Sequence, residues 1–118
     1  MTTHDLIQAY YDAFNAADMP AFLALLNDDV VHDINQGERQ GGKAVFAEFM
    51  DKMNRCYREQ LTDMVIMVSA DGSRAAAEFV VNGEYLADDE GLPPANGQKY
   101  VLPAGAFFEV KNGKVALP

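Results

Sequence analysis

The residues best suited to chemistry gather in one short stretch of this sequence. His32 and Asp33 stand side by side, just after Asp28-Asp29 and two valines. An imidazole titrates near neutral pH, so His32 is a candidate general base. Its plainer reading is a half-buried histidine held by a backbone partner. Asp33 is a second candidate base, at a strand end where a solvated aspartate is also ordinary. Asp28, Asp29, His32 and Asp33 together carry enough ligand atoms for a metal ion. Their spacing matches no strong metal signature, and Asp28-Asp29 also reads as a helix-to-strand turn. Neither a metal nor a cofactor is assigned.

The other reactive side chains stand apart. Cys56 is the sole cysteine. No histidine is near it in sequence, and burial raises a thiol pKa, so it reads as a small packed residue. It cannot form an internal disulfide, which points to a reducing, cytoplasmic setting. Ser69 and Ser73 flank Asp71-Gly72, a tight-turn signal, and give no support to a serine triad. Asp88-Asp89-Glu90 reads as a solvated loop, with a lid over a pocket as the sharper alternative.

These residues need elements to position them, and the hydrophobic pattern supplies a coherent set. Thr2 and Asp5 have capping-box spacing, and Ile7, Tyr10, Tyr11 and Phe14 then mark one buried face of a first helix. Asn15 to Asp18 is a break. Asp18 caps a second short helix with Pro20 in its first turn, and Asn27-Asp28-Asp29 ends it. Val30 to Asn35 is a short strand, and Gln36 to Gly42 a glycine-rich loop. A third helix follows, with Phe46, Phe49, Met50, Met53 and Tyr57 on one face. After about Arg58 the period changes to two. Gln60–Ser69, Arg74–Leu86 and Lys99–Val110 read as strands, and Lys114–Leu117 begins another. Asp71-Gly72 and Asn112-Gly113 are hairpin turns, and Ala87–Gln98 is an acidic loop. Helices first and an antiparallel meander second is an α+β order. It implies a curved sheet with the helices on its concave face.

The chain has 118 residues, 49% of them apolar and 23% charged, which fits one globular domain over residues 1–118. Its formal net charge of −9 argues against nucleic acid and against anionic membrane surfaces. No apolar run approaches the ~20 residues of a membrane span, and no signal peptide is visible.

The run Tyr10-Tyr11-Asp12-Ala13-Phe14-Asn15-Ala16-Ala17-Asp18 resembles the NTF2-like superfamily, within it the SnoaL-like and ketosteroid isomerase-like proteins. Phe22 to Leu26, Asp28 to Val31, Lys43 to Phe49 and Phe107 to Lys114 carry the same resemblance, which covers nearly the whole chain. It implies an NTF2-like cone with a pocket between helices and sheet. Reactions differ widely among members, so the fold does not choose one. Steroid isomerases of this fold use a carboxylate base, a tyrosine and a protonated aspartic acid. The resemblance puts the tyrosine at Tyr10, the base at Ile34 with Asp33 one place before it, and the protonated acid at Ala106. Tyr10 is thereby a candidate donor, or else a helix tyrosine that simply packs. Ile34 and Ala106 cannot do the other two jobs, so ketosteroid isomerase activity is not expected.

The same register aims Ala75, Ala77, Phe79 and Val81 at the pocket, with Leu102, Ala104, Ala106 and Phe108 beside them. Ile34 shares a face with His32, and Phe49 and Met53 face inward from the third helix. Glu78, Phe107 and Glu109 fall on the outer face, where such folds commonly pair. The reading is a binder of a small, mostly apolar organic molecule, with acid–base chemistry by Tyr10 and His32 or Asp33. The alternative is a non-catalytic binding or dimerisation module. Lys114–Pro118 is short for the family's last strand, so the domain looks to lack most of it, and a homodimer through the outer sheet face is expected.

Overall fold

Thr2 opens the first helix as its composition demands. Its hydroxyl accepts from the Asp5 N–H at 3.1 Å, and the Asp5 carboxylate accepts from the Thr2 N–H at 3.4 Å. The computed structural model describes residues 1–33, 39–89 and 91–118. In chain order they form α1 (Thr3–Asn15), α2 (Met19–Ala24), β1 (Val31–Asp33), β2 (Arg39–Gly41) and α3 (Lys43–Cys56). Then come β3 (Tyr57–Val68), β4 (Arg74–Tyr85), β5 (Lys99–Lys111) and β6 (Lys114–Leu117). β3 to β6 make one antiparallel sheet in sequence order, and β1 and β2 a separate two-stranded ribbon. The fold is α+β, helices on a curved sheet. Among the described residues no helix is long and apolar enough to cross a membrane.

α1 ends in a motif its sequence does not favour. The Asp18 N–H reaches the Ala13 carbonyl at 2.9 Å and the Ala17 N–H reaches Phe14 at 3.0 Å. That pair of bonds needs a left-handed residue between them, and it is Ala17, at φ 54°. Glycine takes this conformation without steric cost. Ala17→Gly should therefore stabilise the fold by about 0.5–1 kcal/mol. A thermal melt checks it, and a lower midpoint would mean that Ala17 is not strained.

Three details depart from the sequence reading. β2 occupies part of the expected glycine loop, pairing Val31 with Gly41 and Asp33 with Arg39. β3 begins at Tyr57, directly from the end of α3, rather than at Gln60. It also carries a bulge: Thr62 faces Val80 but Val65 faces Glu78, so β3 spends one extra residue there. Asp63 sits in it at φ 56°. The bulge reverses side-chain parity, so Leu61 before it and Ile66 after it both face the helices.

The core lies between α1, α2, α3 and the concave face. Leu6, Ile7, Phe22, Leu26, Val30, Phe46, Phe108 and Val115 are all buried. β6 is fastened from the helical side, because Val115 N–H bonds Leu25 and its carbonyl takes the Asn27 N–H, each at 2.9 Å. β6 pairs with β5 over Glu109–Lys111. α1 lies chiefly against β3, which leaves the far part of β5 with little helix above it.

Candidate functional site

α1, β1 and β5 converge on a cavity of about 350 Å³. Its lining includes Tyr10 and Tyr11 from α1, His32 from β1, Ala106 and Phe108 from β5, and Leu117 from β6. The helix turns Tyr10 toward α2, where its ring meets Phe22 at 4.5 Å, and toward Phe108 at 5.4 Å. Tyr11 leans onto the sheet against Phe79 at 5.2 Å and Phe108 at 5.9 Å. The two tyrosine rings meet edge-on at 5.0 Å. Among the described residues none accepts a hydrogen bond from either hydroxyl. Burial pushes both phenols well above their ordinary pKa, so both stay protonated donors at neutral pH.

His32 is gripped by α3. Its ring lies 4.6 Å from Phe46 and 4.6 Å from Phe49. It is half-buried, in register with Gln40 of β2. Asp33 follows on β1 opposite Arg39, but its side chain lies outside the described part, as does the whole of Ile34. Ala106 lines the cavity with nothing to donate or accept beyond its backbone.

The remaining expected pocket residues are not in this lining. Phe79 and Val81 share the face of Phe108 on β4 and β5, where Ala75 pairs Phe108 and Val81 pairs Leu102. Phe79 is one ring removed, behind Tyr11. Val81 is buried in the core, while Leu102 is 53% exposed because the helices stop short of that end of β5. Phe49 and Met53 line a smaller recess of about 180 Å³ between α1, α3 and β3, with Phe14 and Tyr57. Phe49 still reaches the main site through its contact with His32.

Tyr11 lines this cavity too, where the sequence reading did not place it. The signal was present: two adjacent helix residues point about 100° apart, so two tyrosines on one buried face must split between neighbours.

The other reactive groups have structural partners. Asp28 pairs with Lys43 at 3.4 Å. Cys56 is buried and its thiol donates to the Asp88 carbonyl. The acidic loop is not simply solvated. Asp89 accepts from the Tyr57 hydroxyl at 2.7 Å and pairs with Lys52 at 3.2 Å, and Asp88 accepts from the Ala95 N–H. Glu90 lies outside the described residues. The Ser73 N–H, the Ser73 hydroxyl and the Ser69 hydroxyl all donate to Asp71, which holds its carboxyl down to about 2. Among the described residues no three His, Cys, Asp or Glu side chains group as metal ligands.

A family model described as a SnoaL-like domain matches residues 7–117. Among solved structures, a candidate polyketide cyclase from Pseudomonas putida KT2440 is 74% identical, with 99% of this chain and 88% of that one covered and a TM-score of 0.98. A second candidate polyketide cyclase, from Xanthomonas campestris pv. campestris, is 54% identical over 98% of this chain and 85% of that one, with a TM-score of 0.94. A Mycobacterium tuberculosis protein in complex with estradiol-17β-hemisuccinate shares the fold at 20% identity. It covers 99% of this chain and 91% of its own at a TM-score of 0.79. No curated protein matches the chain.

Proposed function

The chain belongs to the SnoaL-like domain family, and from that premise we propose that it binds a small, mostly apolar organic molecule and moves a proton on it. The site is the cavity between α1, β1 and β5. Tyr10 donates a hydrogen bond to an oxygen of the molecule, and His32 takes a proton from a carbon beside it. The observation that carries this reading is that Tyr10, whose hydroxyl no described residue bonds, and His32 both line one cavity, with Ala106, Phe108 and Leu117 as its apolar wall. Relatives described as candidate cyclases and a neighbour holding a steroid ester are in keeping with it. Steroid isomerisation is not part of the proposal, because Ala106 stands where that chemistry needs a protonated acid.

The protein works as a homodimer in this reading. Val65, Met67, Val101 and Phe107 are exposed on the outer face of the sheet, an apolar area suited to a second copy. The charge of −9 per chain opposes pairing, but its reach is screened beyond ~8 Å at physiological salt.

Two measurements test the proposal. Native mass spectrometry at micromolar concentration should show a dimer, and a clean monomer would remove that part. Proton NMR in D2O with 2-tetralone should show faster deuteration beside the carbonyl with the wild type than with His32→Gln or Tyr10→Phe. Equal rates in all three would leave a binding module without proton chemistry.

A further inference from the structure

We propose that Tyr11 is the second hydrogen-bond donor of this cavity, and that Tyr10 and Tyr11 together hold one carbonyl-type oxygen of the ligand. The inference rests on the ligand-binding reading above and adds the donor and the chemical class of the group it recognises.

Both side chains are more than nine-tenths buried, Tyr10 at 7% and Tyr11 at 5% exposure. Both line the same cavity, and no described residue accepts from either O–H. Neither hydroxyl oxygen is sealed off, so a tyrosine hydroxyl here that no protein group bonds takes its partner from whatever fills the cavity. One such hydroxyl is tolerable as an accident of packing. Here two adjacent residues repeat it, in contact edge-on, on the wall of one space. The rings themselves are well fixed: Tyr10 by Phe22 and Phe108, Tyr11 by Phe79 and Phe108. Rigid rings with unused donors are preorganised for an acceptor that arrives from outside. Ala106 and Gly105 beside them are small, so an oxygen has room to approach.

The lining also selects the kind of oxygen. Among the described residues of the lining there is no lysine or arginine. That lining would meet a carboxylate or phosphate with neutral phenols and the His32 imidazole, and with no lysine or arginine to replace its hydration. A ketone, enol or quinone oxygen would lose far less and would use both phenols fully. Burial holds the phenols protonated, as donors.

The test uses three molecules of one shape: 2-acetonaphthone, 2-naphthoate and 2-ethylnaphthalene. Dissociation constants are measured by ligand-observed NMR for the wild type, Tyr10→Phe and Tyr11→Phe. The wild type should prefer the ketone to the hydrocarbon by about tenfold or more, and should bind naphthoate more weakly than the ketone at pH 7. Tyr11→Phe should cut the ketone-to-hydrocarbon preference about fivefold while leaving the hydrocarbon unchanged, as should Tyr10→Phe. A purely packing role for Tyr11 would move both ligands alike and leave the ratio intact. An intact ratio with normal ketone binding overturns the inference and spares the binding reading. Failure of all three molecules to bind the wild type overturns both. Naphthoate binding tightest overturns the assigned oxygen. Because its hydroxyl has no described protein partner, Tyr11→Phe should melt no lower than the wild type without ligand. A Tyr11→Phe protein that fails to fold would show that the hydroxyl serves the structure, and would also overturn the inference.

Discussion

Phe22→Ala should cost about 3–5 kcal/mol, the range for an aromatic deleted from a sealed core. Phe22 is 1% exposed and sits where three helices meet. Its ring touches Tyr10 of α1 at 4.5 Å, Phe14 of α1 at 6.4 Å and Phe46 of α3 at 6.0 Å. α2 is only six residues long and has Phe22 as its buried residue. A helix that short has no stability of its own, so its docking depends on that ring. Domains of this size are stable by roughly 5–15 kcal/mol, so the variant gives up a large share of the total. Urea melts followed by far-ultraviolet dichroism measure the loss. Phe107→Ala is the control: that ring is exposed, and in dilute protein its removal should change folding stability by less than about 0.5 kcal/mol. A Phe22→Ala loss below about 1 kcal/mol would mean that α2 is held by something other than this ring.

The same residues show why the fold was readable. Phe22, Tyr10 and Phe46 each sit at a helical spacing that admits one buried face, and Asp18 caps α2 by accepting from the Ala21 N–H. Two turns, Asp71-Gly72 and Asn112-Gly113, fix the pairs β3–β4 and β5–β6, and both take left-handed residues in the structure. What local pattern could not carry is the bulge at Asp63. An inserted residue leaves the composition of β3 unchanged and only shifts parity, and Val, Ile and Met on both sides hide the shift. β2 was hidden because Arg39-Gln40-Gly41 is three residues without an apolar alternation, paired only because β1 lies next to it. Asp89 looked solvated because Tyr57 and Lys52, which hold it, come more than thirty residues earlier.

The cavity was legible to a similar depth. Helix period and strand parity aim Tyr10, His32, Phe79 and Phe108 at one space, and all but Phe79 line the cavity. They do not say how far along a strand the helices reach. Leu102 has the parity of Phe108 and lies beyond the cover, exposed. Met53 has the right face of α3, but that face opens on the recess beside Phe14 and Tyr57. Distances between elements come from packing, and packing is set by pairs of residues far apart in sequence.

Asn15 makes one such pair, and its replacement is the second large effect. β3 is an edge strand with β4 on one side. In an antiparallel pair each residue aims its N–H and carbonyl to the same side, and at Leu61 that side is α1 rather than β4. The Asn15 amide fills it as a missing strand would. Its Oδ1 accepts from the Leu61 N–H at 2.9 Å and its Nδ2 donates to the Leu61 carbonyl at 3.0 Å. Gln60 adds a bond from its Nε2 to the Asn15 carbonyl at 2.8 Å. Asn15→Ala strips both Leu61 groups of their partner where Leu61 is itself buried, and should cost about 2–4 kcal/mol. Asn15→Asp is the sharper variant. The new carboxylate still accepts from the Leu61 N–H, but its second oxygen faces the Leu61 carbonyl, acceptor against acceptor. At pH 7 it should cost at least as much as alanine. That repulsion disfavours the charged form, so the folded-state pKa of the new carboxyl lies above its unfolded value of about 3.9. The folded state then binds more proton than the unfolded one, and stability must fall as pH rises through the folded pKa. In the acid direction a protonated carboxyl donates to the Leu61 carbonyl and restores the second bond. Urea melts of the wild type, Asn15→Ala and Asn15→Asp at pH 7 and near pH 4 separate the cases. The aspartate variant should close part of its gap to the wild type in acid while the alanine variant keeps its own. An aspartate variant as stable as the wild type at pH 7 would show that the Leu61 carbonyl does not depend on Asn15.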